Sequence, residues 1–145
     1  MYIFIQYICR HTIIIMTWLK NKSEENINSA DILVNNKLYA ASIHCYYYAC
    51  LQLIKYVLCH KLSVDYQEQD NAKSDSHIFV IVKLYKILKR KNTKYANEFD
   101  RNINDLKYAR VRADYKNVEI IEEEAIKANT KSKYIIDLIN KQYMI

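Results

Sequence analysis

Arg110, Asp114 and Tyr115 bring a guanidinium, a carboxylate and a phenol into one short stretch, Arg110-Val111-Arg112-Ala113-Asp114-Tyr115. In a helix, residues four apart share a face, and Tyr115 lies one step round, so the three groups can converge at the end of a helix bundle. A guanidinium held this way suits a phosphate, with the carboxylate and the phenol as candidates for orienting it or moving a proton. Arg112 and Lys116 add positive charge on either side. The same spacing also suits an ion pair that merely holds itself together in solvent. The Ala-Asp-Tyr register favours Arg110 over Arg112 as the inward arginine.

About sixty residues earlier lies Ala41-Ser42-Ile43-His44-Cys45-Tyr46-Tyr47-Tyr48-Ala49, in the middle of a long apolar segment, and Ser76-His77 opens the next one. An alanine followed by Tyr-Tyr-Ala, then a Ser-His, then a distant Arg-x-x-Ala-Asp-Tyr resembles the small bacterial branch of the HEPN domain family. The likeness runs from about Ser29 to Gln142. It implies an all-α, up-and-down bundle of about five helices, with Tyr47, Tyr48 and Ala49 in packing roles. Tyr47 or Tyr48 is then expected to reach towards Arg110, and His77 to cap or brace its helix.

Many proteins of that family are homodimers in which an arginine and a histidine, four to six residues apart, meet at a two-fold cleft and cut RNA without a metal. Others pair with a separately encoded nucleotidyltransferase-like protein in toxin–antitoxin or phage-defence systems. This chain departs from the catalytic pattern, because the positions after Arg110 hold Tyr115, Lys116 and Asn117, and those after Arg112 hold Asn117, Val118 and Glu119. A phenol is rarely a base at neutral pH, a surface carboxylate is a weak one, and losing a general base costs ~10²- to 10⁴-fold in rate. His44, His60 and His77 can supply an imidazole only through folding. Three readings stay open. One is a nucleotide- or RNA-phosphate-binding module, degenerate in catalysis and acting with a nucleotidyltransferase-like partner. The others are an active metal-independent ribonuclease and a helical interaction module with no ligand.

Charge is unevenly spread. Residues 83–116 carry eleven Lys and Arg against four Asp and Glu, so this stretch is net +7 while the whole chain is +6. Lys86, Lys89, Arg90, Lys91 and Lys94 form a basic run leading towards the helix of Arg110 and Arg112. Clustered cations of this kind attract phosphate backbones, or simply make a solvated face.

Composition sets the remaining bounds. The chain has 145 residues, enough for one domain with a real core, and contains no glycine and no proline. Glycine-rich phosphate loops and dinucleotide fingerprints are therefore excluded, and no cofactor is expected. Cys9, Cys45, Cys50 and Cys59 form no Cys-x-x-Cys pair. Adjacent His-Cys pairs on a helix point about 100° apart, which disfavours a metal site. Reduced core thiols suggest the cytoplasm. Met1–Ile15 is apolar but broken by Gln6 and Arg10-His11, which suits neither a membrane span nor a secretory signal. It reads as an upstream extension, disordered or loosely packed, ahead of a domain covering residues 16–145, or as an apolar tail that docks on a partner or on the membrane surface.

Periodicity predicts helices over roughly Ser23–Asn35, Leu38–His60, Ser76–Arg90, Tyr95–Arg112 and Glu119–Tyr143. Ser23 reads as the first helix's cap, with Ile27, Ala30, Ile32 and Leu33 inward. The second is apolar on nearly every side and should be central. Ser63–Asp75 reads as a mobile loop. Ile78–Val82 would pass for a strand, but the apolar pattern continues to Leu88, too long for one. The last helix should bury Ile121, Ala125, Ala128, Ile135 and Ile139. Tyr46, Tyr47 and Tyr48 fan over some 200° and cannot all face one ligand.

Overall fold

With no glycine or proline to interrupt the apolar periodicity, helix is the default of this chain. A computed structural model describes residues 2–71 and 76–145, with side chains described from Trp18 onward, and every element in it is helical. The order is α1 (Tyr2–Asn35), α2 (Tyr39–Leu62), α3 (Tyr66–Asp70), α4 (Ser76–Lys91), α5 (Thr93–Tyr115) and α6 (Glu122–Tyr143). The expectations for Met1–Ile15 and Cys9 fall outside the described side chains. No helix among the described residues is long and apolar enough to cross a membrane.

Lacking glycine, the chain ends helices on ordinary residues in the left-handed region: Lys37 (φ 61°), Ser63 (φ 57°) and Met144 (φ 50°). After Lys37, the Leu38 N–H donates back to Leu33 O at 2.8 Å, the 6→1 closure that satisfies an end carbonyl of α1. Each such residue carries a steric cost of about 1–2 kcal/mol that glycine would avoid.

α2 occupies the centre, packing against each of the other helices except for the lighter contacts that α3 makes. Ile43, Tyr46, Tyr47, Cys50, Ile54, Val57 and Leu58 are all buried along it, as an all-round apolar helix requires. From α5 it meets Phe99, Ile103 and Leu106, and from α6 Ala125, Ile135 and Ile139. Ser23 is no cap. It lies inside α1, buried, and its Oγ donates to Ala49 O of α2 at 2.7 Å, because the helix begins far upstream of it. Two further bonds tie α1 to α2: Asn26 Nδ2 to Gln52 Oε1 at 2.9 Å and Tyr46 OH to Asp31 at 2.7 Å. Ile32 and Ile121, both expected inward, are exposed. Ile121 is the residue before α6, where its backbone N–H donates to Glu124 Oε2 at 3.1 Å instead of packing.

Side-chain pairings give the helix directions. His44 with Asp114 and Tyr48 with Arg110 run α2 and α5 antiparallel. Lys131 with Asp105 and Arg112 with Glu124 do the same for α5 and α6. α4 turns into α5 through the single residue Asn92, whose side chain accepts from Tyr95 N at 3.2 Å and starts the new helix. Since α5 opposes both, α4 runs parallel to α2, and the simple up-and-down order breaks at this point.

The segment that permits this return is the one expected to be a mobile loop. Asp65 caps α3 by accepting from Glu68 N at 2.7 Å. Gln69 is buried and donates to Val64 O at 2.8 Å and Lys55 O at 3.2 Å, so α3 is pinned back alongside α2. Lys55–Asp70 (2.9 Å) and Lys83–Glu68 (3.1 Å) tie it to both neighbours.

Candidate functional site

The antiparallel pairing of α2 and α5 brings residues some seventy positions apart into one cluster, where the first half of α2, the last turns of α5 and the start of α4 meet. Arg110 lies at its centre with its side chain only 12% exposed. One guanidinium nitrogen, Nη2, donates to Tyr48 OH at 2.7 Å. The rings of Tyr47, Tyr48 and Tyr115 surround the guanidinium carbon at 5.4, 5.3 and 5.3 Å. This is cation–π geometry on three sides. Nε lies 2.9 Å from Asp114 Oδ2, but its N–H is not aimed at that oxygen, so it is buried without a hydrogen bond. Nη1 has no protein partner among the described residues.

Burial opposes the charge on Arg110. The hydrogen bond with Tyr48, together with the neighbouring Tyr115 and Asp114, more than offsets it and holds the guanidinium above its ordinary value. Arg110 is therefore a fixed cation. Its position in the last turns of α5 also suits the negative end of that helix's dipole.

Asp114 faces two ways. Besides Arg110 it meets His44, whose Nδ1 lies 3.0 Å from Oδ2 and 3.2 Å from Oδ1. With the proton on Nδ1, His44 donates to the carboxylate and presents Nε2 outward; its side chain is 45% exposed against 18% for Asp114. The imidazole also lies against Tyr48, with ring centroids 4.5 Å apart. His77, at the start of α4, takes part from the other side: its Nδ1 is 3.1 Å from Tyr47 OH and its ring packs on Tyr47 and Tyr48. The neighbouring Cys45 is a poor nucleophile, because burial, and then the charge of Asp114, push its thiol up.

The structure therefore gathers Arg110, Asp114, Tyr115, Tyr47, Tyr48 and His77 in one place, with Arg110 the inward arginine. Ala49 is buried, and its carbonyl accepts from Ser23 Oγ of α1. Tyr46 turns away to Asp31. Arg112 is taken up by Glu124 at the head of α6, so it ties two helices together instead of serving the cluster. Lys116 is exposed just past the end of α5.

Lys89, Arg90 and Lys91 are not part of this cluster. They close α4 at the far end of the α4–α5 hairpin, where Lys89 Nζ covers Tyr85 and Lys91 Nζ covers Tyr143. From Lys94 to Arg110 the distance along α5 is about 24 Å by helix rise. A basic run that leads to Arg110 in sequence thus starts from the opposite end of the molecule.

Sequence reasoning had His44 only as one of three histidines that folding could bring to Arg110, without selecting it. The available signal was its spacing: His44 and Tyr48 are four apart on α2 and share the face that meets Arg110 and Asp114. His60 lies at the other end of α2, stacked on Tyr56 at 5.2 Å. Among the described residues no group of three or more His, Cys, Asp or Glu is arranged to hold a metal ion. Comparison of the chain with family models, with curated proteins and with solved structures finds no match.

Proposed function

We propose that this chain is an HEPN-like helical module that binds a phosphate of RNA or of a nucleotide at the cluster around Arg110. The observation that carries this reading is a guanidinium immobilised by Tyr48, Asp114 and three aromatic rings, with Nη1 left without a protein partner. Pre-orientation of that kind lowers the entropic cost of gripping an anion. The reading includes pairing with a second copy, and with a nucleotidyltransferase-like protein. The face around exposed Tyr108, Tyr115 and Val118 adjoins the cluster and offers room for such a partner.

The His44–Asp114 contact favours a second reading, a metal-independent ribonuclease. Here His44 Nε2 accepts the proton of a ribose 2′-hydroxyl as that oxygen attacks the adjacent phosphorus. Arg110 Nη1 steadies the charge on the phosphate, and the 5′-oxygen of the next nucleotide leaves with a proton taken from solvent water, giving a 2′,3′-cyclic phosphate. Asp114 fixes the imidazole and stabilises its cation, the role a carboxylate plays for a catalytic histidine. In this reading His44 stands in for the histidine missing after Arg110.

The test is to incubate a mixed RNA pool with the parent chain, Arg110→Ala and His44→Ala, in chelator, while measuring affinity for the same RNA by anisotropy. Binding lost in Arg110→Ala but kept in His44→Ala supports the phosphate site, and cleavage lost in both supports the ribonuclease. A parent chain whose thermal transition is unmoved by RNA or nucleotides leaves only a structural ion pair and a ligand-free interaction module.

A further inference from the structure

Ile78, Val82, Lys86 and Arg90 recur every four residues along α4 and are all exposed, forming one outward ridge. The ridge begins beside His77, which is bonded to Tyr47 against Arg110, and ends at the basic tip of the hairpin. Its first half is apolar, with Phe79 partly buried behind it and Lys83 Nζ over that ring at 5.7 Å. Its second half is cationic. Lys86, Lys89, Arg90, Lys91 and Lys94 form no ion pair among the described residues, whereas Lys55, Lys83, Arg112, Lys127 and Lys131 all do.

We infer that the ligand of the proposed phosphate site is a polynucleotide strand, held at Arg110 by one phosphate and at the α4–α5 tip by several more. This inference rests on that site being a phosphate site, and it extends the ligand beyond a single nucleotide. Lysines and arginines without carboxylate partners are the groups that release counterions when a phosphate backbone arrives. Exposed Ile78 and Val82 between the two anchors present a surface for base faces. The span of about 24 Å between the anchors, at roughly 3.4 Å per stacked nucleotide, corresponds to about seven nucleotides. A mononucleotide can reach only one anchor.

The experiment measures anisotropy of labelled RNA oligomers of about three and about ten nucleotides over a range of salt. It uses the full chain, the triple variant Lys86→Gln/Arg90→Gln/Lys94→Gln, and Arg110→Gln. The three tip residues are exposed and make no side-chain bond, so the triple variant should keep the fold. The inference expects the ten-mer to bind the parent far more tightly than the three-mer. It expects the triple variant to lose about tenfold or more for the ten-mer, with a salt slope shallower by about two, and to bind the three-mer unchanged. Equal binding of both lengths, or a ten-mer indifferent to the triple substitution while Arg110→Gln loses both, overturns the extended strand and leaves the single-phosphate site standing. A parent chain that binds neither oligomer overturns both. Binding of poly-glutamate at the tip without binding of the ten-mer would make this an acidic-protein surface and also overturn the inference.

Discussion

Replacing Asp114 by asparagine removes one negative charge with little change in shape, and it should separate two consequences of the cluster. In the parent, the carboxylate is 18% exposed and lies 3.0 Å from His44 Nδ1 and 2.9 Å from Arg110 Nε. A hydrogen bond to a charged group contributes about 1.5–3 kcal/mol. Against this, a carboxylate in the last turn of α5 opposes the helix dipole by about 0.3–1 kcal/mol, a cost asparagine relieves. The net loss of stability is therefore about 1–2 kcal/mol, which lowers a urea midpoint by roughly 0.5–1 M with an unchanged slope. Phosphate affinity should move the other way. An anion on Arg110 Nη1 would lie roughly 6 Å from the Asp114 charge, and at an effective dielectric of about 40–80 their repulsion is about 0.7–1.4 kcal/mol. Asp114→Asn should thus bind inorganic phosphate about three- to tenfold more tightly while unfolding more easily, as read by calorimetric titration and urea melts on the same preparations. A variant that is less stable and also binds phosphate more weakly would refute this reasoning, because it would make Asp114 an organiser of the anion site and not its competitor.

Lys37→Gly should raise stability by about 0.5–1 kcal/mol, since the left-handed strain at φ 61° exceeds the added freedom of glycine in the unfolded chain. A thermal melt no higher than the parent's would count against it. Tyr46→Phe removes the bond to Asp31 that ties α2 to α1 and should cost about 1–2 kcal/mol, measurable in urea; no loss would mean the contact is not made in solution. The fold should also fail in alkali. Burial, and then the bond to Glu98, push the Tyr134 phenol up to about 12 from 10.0, and burial raises Tyr46, Tyr66 and Tyr143 as well. The folded chain therefore holds these protons more tightly than the unfolded one, so their support is complete below about pH 10 and is lost as pH rises from there towards 12. Loss of helical circular dichroism should coincide with the last part of the rise in tyrosinate absorbance. Ionisation of all fourteen tyrosines while the helices persist would show that these phenols are not held by the fold.

Much of the architecture is legible in the residues alone. The absence of glycine and proline, the apolar periodicities and the all-round apolar character of α2 specify helices and a central one, because those properties act locally or through burial of a face. The strand-like run Ile78–Val82 is helical in α4, as its length requires. The local rules fail where tertiary contacts outweigh them. Ser23 has the chemistry of a cap but lies inside a longer helix, bonded to Ala49. The acidic segment after α2 lacks periodicity, yet Gln69 folds it back by donating to two carbonyls.

The candidate site divides the same way. That Arg110, Asp114 and Tyr115 belong together follows from spacing, since an i, i+4 relation in a helix is a geometric certainty once the helix forms. That His44 joins them is decided only by the antiparallel packing of α2 on α5, which puts Nδ1 within 3.0 Å of a carboxylate seventy residues away. The packing of α6 on α5 sends Arg112 to Glu124, and the turn from α4 into α5 carries Lys89, Arg90 and Lys91 to the far tip of a hairpin. Sequence spacing measures distance along one helix, while the partners of a side chain are set by which helices lie beside it and in which direction they run.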